Sequence, residues 1–93
     1  MAVNHQVTVL NSETAILVGP SANHAGRDIT IQNLSSTDNV YIGTQGVTTS
    51  NFGYRLLPNS AWSVELMHGD HIYAISNGTA SIAVFTLGLE SFN

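Results

Sequence analysis

Two histidines and one aspartate lie within four residues in the segment His68-Gly69-Asp70-His71. Imidazole nitrogens and carboxylate oxygens are common ligands of divalent metals, so this cluster is the strongest candidate for chemistry in the chain. A turn at Gly69 would direct the two histidine side chains apart, and a third ligand would have to come from His5 or His24. We therefore expect a solvated turn here, without a metal or any other cofactor.

Other catalytic arrangements have less support. Serines and threonines are abundant, but none lies in a strand-turn-helix elbow, because no stretch of ten residues shows helical periodicity. A glycosidase needs two convergent carboxylates, and the acidic residues are spread along the chain at Glu13, Asp28, Asp38, Glu65, Asp70 and Glu90. We predict that the protein is not an enzyme and has no catalytic residue.

The charge composition restricts the possible partners. The 93 residues include no lysine, only two arginines and six acidic residues, which gives a net charge of −4. Nucleic-acid binding is therefore disfavoured, because it needs clustered cations. Charged residues make up 9% of the chain, whereas Ser, Thr and Asn supply 28 positions. The free-energy cost of desolvating such neutral groups is smaller than that of desolvating ions. This surface therefore suits a protein packed against others. The alternative is that the composition arose by neutral drift.

Length and apolar runs predict one domain made in the cytoplasm. The longest apolar runs, such as Ala15 to Val18, are too short to span a membrane. The N-terminus, MAVNHQVTVL, lacks the basic and apolar regions of a signal peptide. There is no cysteine, so no disulfide can supplement the core.

Alternation of apolar and polar residues predicts an all-β chain. About eight short strands are expected, arranged as a single antiparallel β-sandwich or a small barrel. We predict an N-terminal strand or arm at 1–13, the sandwich domain at 14–88 and a C-terminal tail at 89–93. The predicted core is Ile29, Ile31, Trp62, Val64, Leu66, Ile72, Ile82 and Val84. For Trp62, a sugar-stacking platform is the alternative to a core role.

Two turns are also expected. Asn77-Gly78 separates two apolar runs and predicts a type I′ hairpin, which needs positive φ at both positions. Pro58-Asn59-Ser60 indicates a second turn.

Two uncharged segments are candidates for contact between chains. The loop from Thr44 to Gly53 contains no ionisable residue and carries Val47 and Phe52 as exposed-looking apolar side chains. The alternative is a loop that folds back, with Phe52 covering one open end of the sandwich. The N-terminal strand could add to the sheet of a neighbour through its free backbone groups. The predicted interface residues are Val3, His5, Val7, Thr44, Val47, Thr48, Thr49, Asn51 and Phe52.

The segments RDITIQNLSSTDNVYIGTQGVTTSNFGYRLLPNSAWSVEL and GDHIYAISNGTASIAVFTL resemble a family of small all-β virion proteins of tailed bacteriophages. The resemblance covers Arg27 to Leu87 and includes the VYIG strand, the GVTTSN loop, the leucine-proline turn and the YAI strand. The chain departs from the pattern at Phe52, which interrupts an Asn-Gly pair, and at His68, where a proline or small residue is typical.

The family is most like the capsid decoration (cement) proteins, and some members are tail or fibre modules. The resemblance implies a structural protein on the outer surface of the virion, which binds the assembled capsid and stabilises it. Its implied partners are the major capsid protein and copies of itself, in a trimer or a cluster around a capsomer. The alternative is a tail or fibre module that binds a host-surface carbohydrate.

Overall fold

A computed structural model of the chain describes residues 3–19, 26–67, 70 and 72–88. These residues form eight β-strands and no helix, which confirms the expected all-β class. The strands are β1 (Val3–Leu10), β2 (Ile16–Gly19), β3 (Arg27–Asn33), β4 (Val40–Gly43), β5 (Tyr54–Leu56), β6 (Ala61–Leu66), β7 (Ile72–Ser76) and β8 (Ala80–Gly88).

The strands form two antiparallel sheets of four strands each, so the fold is a two-sheet sandwich. Sheet A has the strand order β1-β8-β3-β6, and sheet B has the order β2-β7-β4-β5. Consecutive strands lie in different sheets, except β4 and β5, which form a hairpin in sheet B. This strand order is that of the jelly roll, an eight-stranded double-sheet fold built from two Greek keys.

Inward-facing side chains of both sheets form one core. In β3, for example, Ile29 and Ile31 are fully buried while Asp28 and Gln32 are exposed. Of the predicted core residues, Trp62, Val64 and Ile72 are partly buried against this core and the other five are buried. The buried set is Leu10, Val18, Ile29, Ile31, Val40, Ile42, Leu56, Leu66, Ala74, Ala80, Ile82 and Val84.

β1 pairs within its own chain. It runs antiparallel to β8 along its whole length, from Val3 opposite Leu87 to Leu10 opposite Ala80. The N-terminal strand is therefore the outer strand of sheet A, and only its last residue, Leu10, belongs to the core. The predicted tail at 89–93 lies outside the described residues.

The hairpin predicted at Asn77-Gly78 is wrong. β7 belongs to sheet B and β8 to sheet A, so this connection crosses between the sheets. Among the described residues only Asn59 and Gly26 have positive φ, so a type I′ turn is absent from this position. An added Cβ at Gly78 would lie 3.0 Å from Oδ2 of Asp38, so the Asp38 side chain would have to shift to accept a larger residue here.

The turn predicted at Pro58-Asn59-Ser60 is confirmed. The Ser60 N–H donates to the carbonyl oxygen of Leu57 at 3.1 Å, and Asn59 has φ of 61°. Asparagine tolerates this left-handed conformation better than most residues. The turn carries the chain from β5 in sheet B to β6 in sheet A.

Asn33, the last residue of β3, links the two sheets at one end of the sandwich through side-chain hydrogen bonds. Its side chain is fully buried. Its Nδ2 donates to the carbonyl oxygens of Asp38, Leu56 and Leu57 at 2.8, 3.2 and 3.2 Å, and its Oδ1 accepts from the Ser35 N–H at 2.9 Å. One amide therefore joins the end of β3 to the loop that follows it and to β5.

Candidate functional site

Asp70 is the one residue of the histidine cluster that belongs to the described residues. His68, Gly69 and His71 lie outside the described residues, as does His24. Asp70 is described, and its N–H donates to the carbonyl oxygen of Met67 at 3.0 Å, as expected for a turn. In the described ranges, no three His, Asp or Glu side chains are grouped closely enough to hold a metal ion.

The fold does bring two of the carboxylates together. Asp28 in β3 is directly opposite Glu65 in β6, and both are exposed on the outer face of sheet A. Sequence spacing did not reveal this pair, because residues 37 positions apart meet only through the β3–β6 register. Their neighbours in register, Thr30 and Ser63, share a 2.7 Å hydroxyl hydrogen bond. The pair lies on an open sheet face, and like charges at opposed positions repel.

β1 turns its apolar side chains away from the core. Gln6 and Thr8 are opposite Val84 and Ile82, which are buried between the sheets, so the odd-numbered residues of β1 lie on the outer face. Val3, Val7 and Val9 are accordingly 56%, 66% and 57% exposed. The predicted interface residues Val3, His5 and Val7 therefore share one exposed face.

β8 extends this exposed apolar surface. Leu87, Phe85 and Ala83 are opposite Val3, His5 and Val7 respectively, and Phe85 is 46% exposed. The apolar band of sheet A is therefore defined by Val3, Val7, Val9, Ala83, Phe85 and Leu87. The other half of this face, on β3 and β6, carries Asp28, Thr30, Gln32, Ala61, Ser63 and Glu65. A contiguous apolar area bordered by polar residues is typical of a protein-binding surface.

The loop between β4 and β5 lies against the outer face of sheet B. Val47 packs there on Tyr41 and Ile75, in a small cluster separate from the main core. The prediction that Val47 is exposed is wrong, because its side chain is only 5% exposed. Since Tyr41 and Ile75 are opposed in register, they form an apolar site on this face that the loop covers.

The loop is shaped by local hydrogen bonds. The Val47 N–H donates to the Thr44 carbonyl oxygen at 3.0 Å, and the Thr48 N–H donates to that of Asn51 at 2.8 Å. Thr48 Oγ1 accepts from the Asn51 N–H at 2.9 Å. Phe52 is 40% exposed, and the centroid of its ring lies 4.9 Å from the centroid of the Tyr41 ring. The loop therefore folds back onto the sandwich, as the alternative prediction states. Phe52, however, covers part of the outer face of sheet B and not an open end of the sandwich.

The exposed part of the loop surrounds a shallow, open cavity of about 290 Å³. It is lined by Gly43, Thr44, Gly46, Val47, Asn51, Phe52 and Gly53. Thr44, Thr48, Thr49 and Asn51 are exposed, as an interface role requires. The cavity offers neutral hydrogen-bonding groups and one aromatic ring.

Replacing Val47 by Ala should lower the free energy of unfolding by about 1–2 kcal/mol, because two buried methyl groups are lost from the contact with Tyr41 and Ile75. Chemical denaturation followed by circular dichroism would measure the change. Val9→Ala is the matched control, since Val9 is exposed in the edge strand. An equal loss in both variants would contradict the packing described for the loop.

The structure does not bring the two groups of predicted interface residues together. Val3, His5 and Val7 lie on the outer face of sheet A, and the loop lies on the outer face of sheet B. The two surfaces are therefore on opposite sides of the sandwich. One flat partner cannot contact both.

An aromatic pair lies at the opposite edge of the sandwich from β1. Tyr54 in β5 and Trp62 in β6 stack with ring centroids 5.3 Å apart and an interplanar angle of 23°. β5 and β6 are the outer strands of their sheets, so the pair bridges the two sheets where the sandwich is open. Tyr54 is 42% exposed and Trp62 is partly buried against the core. Trp62 therefore combines the core role with partial accessibility.

No helix in the described part of the chain is long and apolar enough to cross a membrane. Comparison of the sequence with protein-family models and with curated proteins, and of the fold with solved structures, gives no match.

Proposed function

We propose that this chain is a structural virion protein, a bacteriophage capsid decoration protein that binds the outer surface of the assembled capsid through the apolar band of sheet A. The partner is the major capsid protein. The observation that carries the proposal is the outward orientation of the valines of β1 beside Phe85. Exposed valines add little to the core of a small domain, whereas a binding surface needs apolar area that a partner can bury.

The placement on a virion rests on the sequence resemblance over Arg27 to Leu87. The jelly-roll strand order supports it by analogy only, because viral capsid domains use this fold but so do lectins and other proteins. The low charge gives independent support for a role in assembly. A surface of hydroxyl and amide groups can be buried at a smaller desolvation cost than a surface of ions.

Stabilisation would follow from mass action. A protein that binds the assembled shell and not the separate subunits stabilises the shell by an amount that grows with its free concentration relative to the Kd. The apolar band contains no Asp, Glu, Lys or Arg, and His5 is the one ionisable side chain among the β1 residues on the same face, so its contact with a capsid involves few ion pairs that salt could screen. Binding should therefore change little between low and high salt.

Sedimentation with capsid particles that lack the protein tests this proposal. The purified chain should sediment with assembled particles at about 50 mM and about 1 M salt, remain in solution with unassembled capsid subunits, and raise the temperature at which the particles break. Particles that bind none of the chain at either salt concentration would contradict the proposal.

A tail or fibre module that binds a host-surface carbohydrate is the second candidate, and the Tyr54–Trp62 stack favours it. Aromatic rings at an open edge can stack on the apolar faces of sugars. Trp62 is the only tryptophan, so its fluorescence reports directly on this site. Saturable quenching by host-surface glycans, abolished in Tyr54→Ala, would support this function over capsid binding. Unchanged fluorescence would exclude the aromatic pair as the glycan site.

A further inference from the structure

The free edge of β1 lacks the features that normally prevent strands from pairing between molecules. Proteins protect edge strands with lysine, proline, inward-pointing charges or bulges. β1 has eight residues, VNHQVTVL, with no Lys, Arg, Asp, Glu, Pro or Gly, and its pairing with β8 is continuous. Within the described ranges, no strand pairs with its other edge. The first five residues of β1 are exposed.

The sequence of β1 is complementary to itself. If two copies pair antiparallel with Gln6 opposite Gln6, the outer face places Val3 against Val9 and His5 against Val7. On the other face Asn4 meets Thr8, and the two Gln6 amides can hydrogen-bond to each other. Apolar residues thus meet apolar residues and polar residues meet polar ones, except for the mixed pair of His5 and Val7. This register pairs residues 3–9 of each copy and keeps the apolar bands of both on the same side.

We propose that two copies of this chain pair through β1 about a twofold axis, so that the two A sheets become one continuous eight-stranded sheet. A second copy is the favoured occupant because it supplies the complementary strand without any other partner. The fixed negative charges on the outer face of sheet A, Asp28 and Glu65, lie on β3 and β6 and not on the strand that pairs. Two copies of a chain with net charge −4 can therefore approach at a neutral edge.

The pairing leaves the outer face of sheet A open and joins the two apolar bands into one surface. The inference extends the proposed function, but does not depend on it, because the isolated protein tests it without a capsid. Its failure would leave capsid binding by a single copy unaffected.

Analytical ultracentrifugation of the purified chain is the first measurement. The wild type should convert from a species of 9.9 kDa to one of about twice that mass as its concentration rises. In Gln6→Lys and in Gln6→Glu, like charges would lie directly opposite in the pair, so each dimer Kd should rise about fivefold or more. Gln32→Lys is the matched control, since it makes the same exchange at an exposed position of β3 and should leave the Kd unchanged.

Mixing the two variants tests the register. A 1:1 mixture of Gln6→Lys with ¹⁵N-labelled Gln6→Glu should form heterodimers above the statistical half, as measured by native mass spectrometry. Circular dichroism should show that all variants fold like the wild type, because Gln6 is exposed. A wild type that stays monomeric at about 1 mM would overturn the proposal. A trimer, an unaffected dimer in the Gln6 variants, or the absence of heterodimer enrichment would do the same.

Discussion

A chain carrying Val7→Asp and Phe85→Asp should bind capsid particles at least about 100-fold more weakly than the wild type. Both side chains belong to the exposed apolar band, at 66% and 46% exposure. Each replacement removes apolar area from the contact and requires a carboxylate to be desolvated in it, and a hot-spot residue at the centre of an interface contributes about 2 kcal/mol or more. Two such losses exceed the 2.7 kcal/mol that corresponds to 100-fold in Kd. Co-sedimentation over a range of protein concentrations would measure the change.

The matched control is a chain with Leu57→Asp and Met67→Asp. These two side chains are also apolar and exposed, at 50% and 64%, but they lie outside the band. This variant has the same added charge, and it should bind like the wild type. If both double variants fold and lose binding equally, net charge and not the band controls attachment. If neither loses binding, the band is not the contact surface.

Replacing Asn33 by Ala should lower the free energy of unfolding by about 2–4 kcal/mol, the largest effect that we expect from one polar residue. The substitution removes a donor to three main-chain carbonyl oxygens and the acceptor for the Ser35 N–H. Of these groups, the Leu57 carbonyl oxygen keeps the hydrogen bond from the Ser60 N–H. Each buried polar group left unsatisfied costs about 1–3 kcal/mol, and partial hydration of the less buried ones limits the total. Denaturation monitored by circular dichroism would provide the value.

Asn51→Ala provides the comparison for Asn33. Asn51 is exposed in the loop between β4 and β5, so its loss should change stability by less than about 0.5 kcal/mol. Similar free energies of unfolding for the two variants would show that the buried amide does not fasten the end of the sandwich.

The class of the fold and most of its core follow from local pattern. Ile29 and Ile31 alternate with polar neighbours, Ile82 and Val84 occupy alternate positions of β8, and all four are buried. The strand order does not follow from such a pattern, because it depends on pairings between distant segments. Asn77-Gly78 illustrates the difficulty, since its strong local turn signal connects strands of different sheets. The Asn-Gly sequence is typical of a hairpin, but the pairing of β7 and β8 with distant strands places them in different sheets.

Two features of the candidate surface could be assigned only from the structure. Alternation in β1 shows that Val3, Val7 and Val9 share a face, but only the register with β8 shows that this face is the outer one. Val47 lies in a neutral loop, and its sequence context suggests an exposed side chain. It is buried instead, because Tyr41 and Ile75 form an apolar site on sheet B on which it packs. In both cases the deciding partner lies in another strand, far along the chain.

A cryo-electron microscopy map of purified particles tests the central claim most directly. The account predicts density for the two-sheet sandwich of this chain on the outer surface of the capsid, with the apolar band of β1 and β8 facing the major capsid protein. Density for the chain only in the tail or its fibres, or on the capsid with this band facing solvent, would contradict the account.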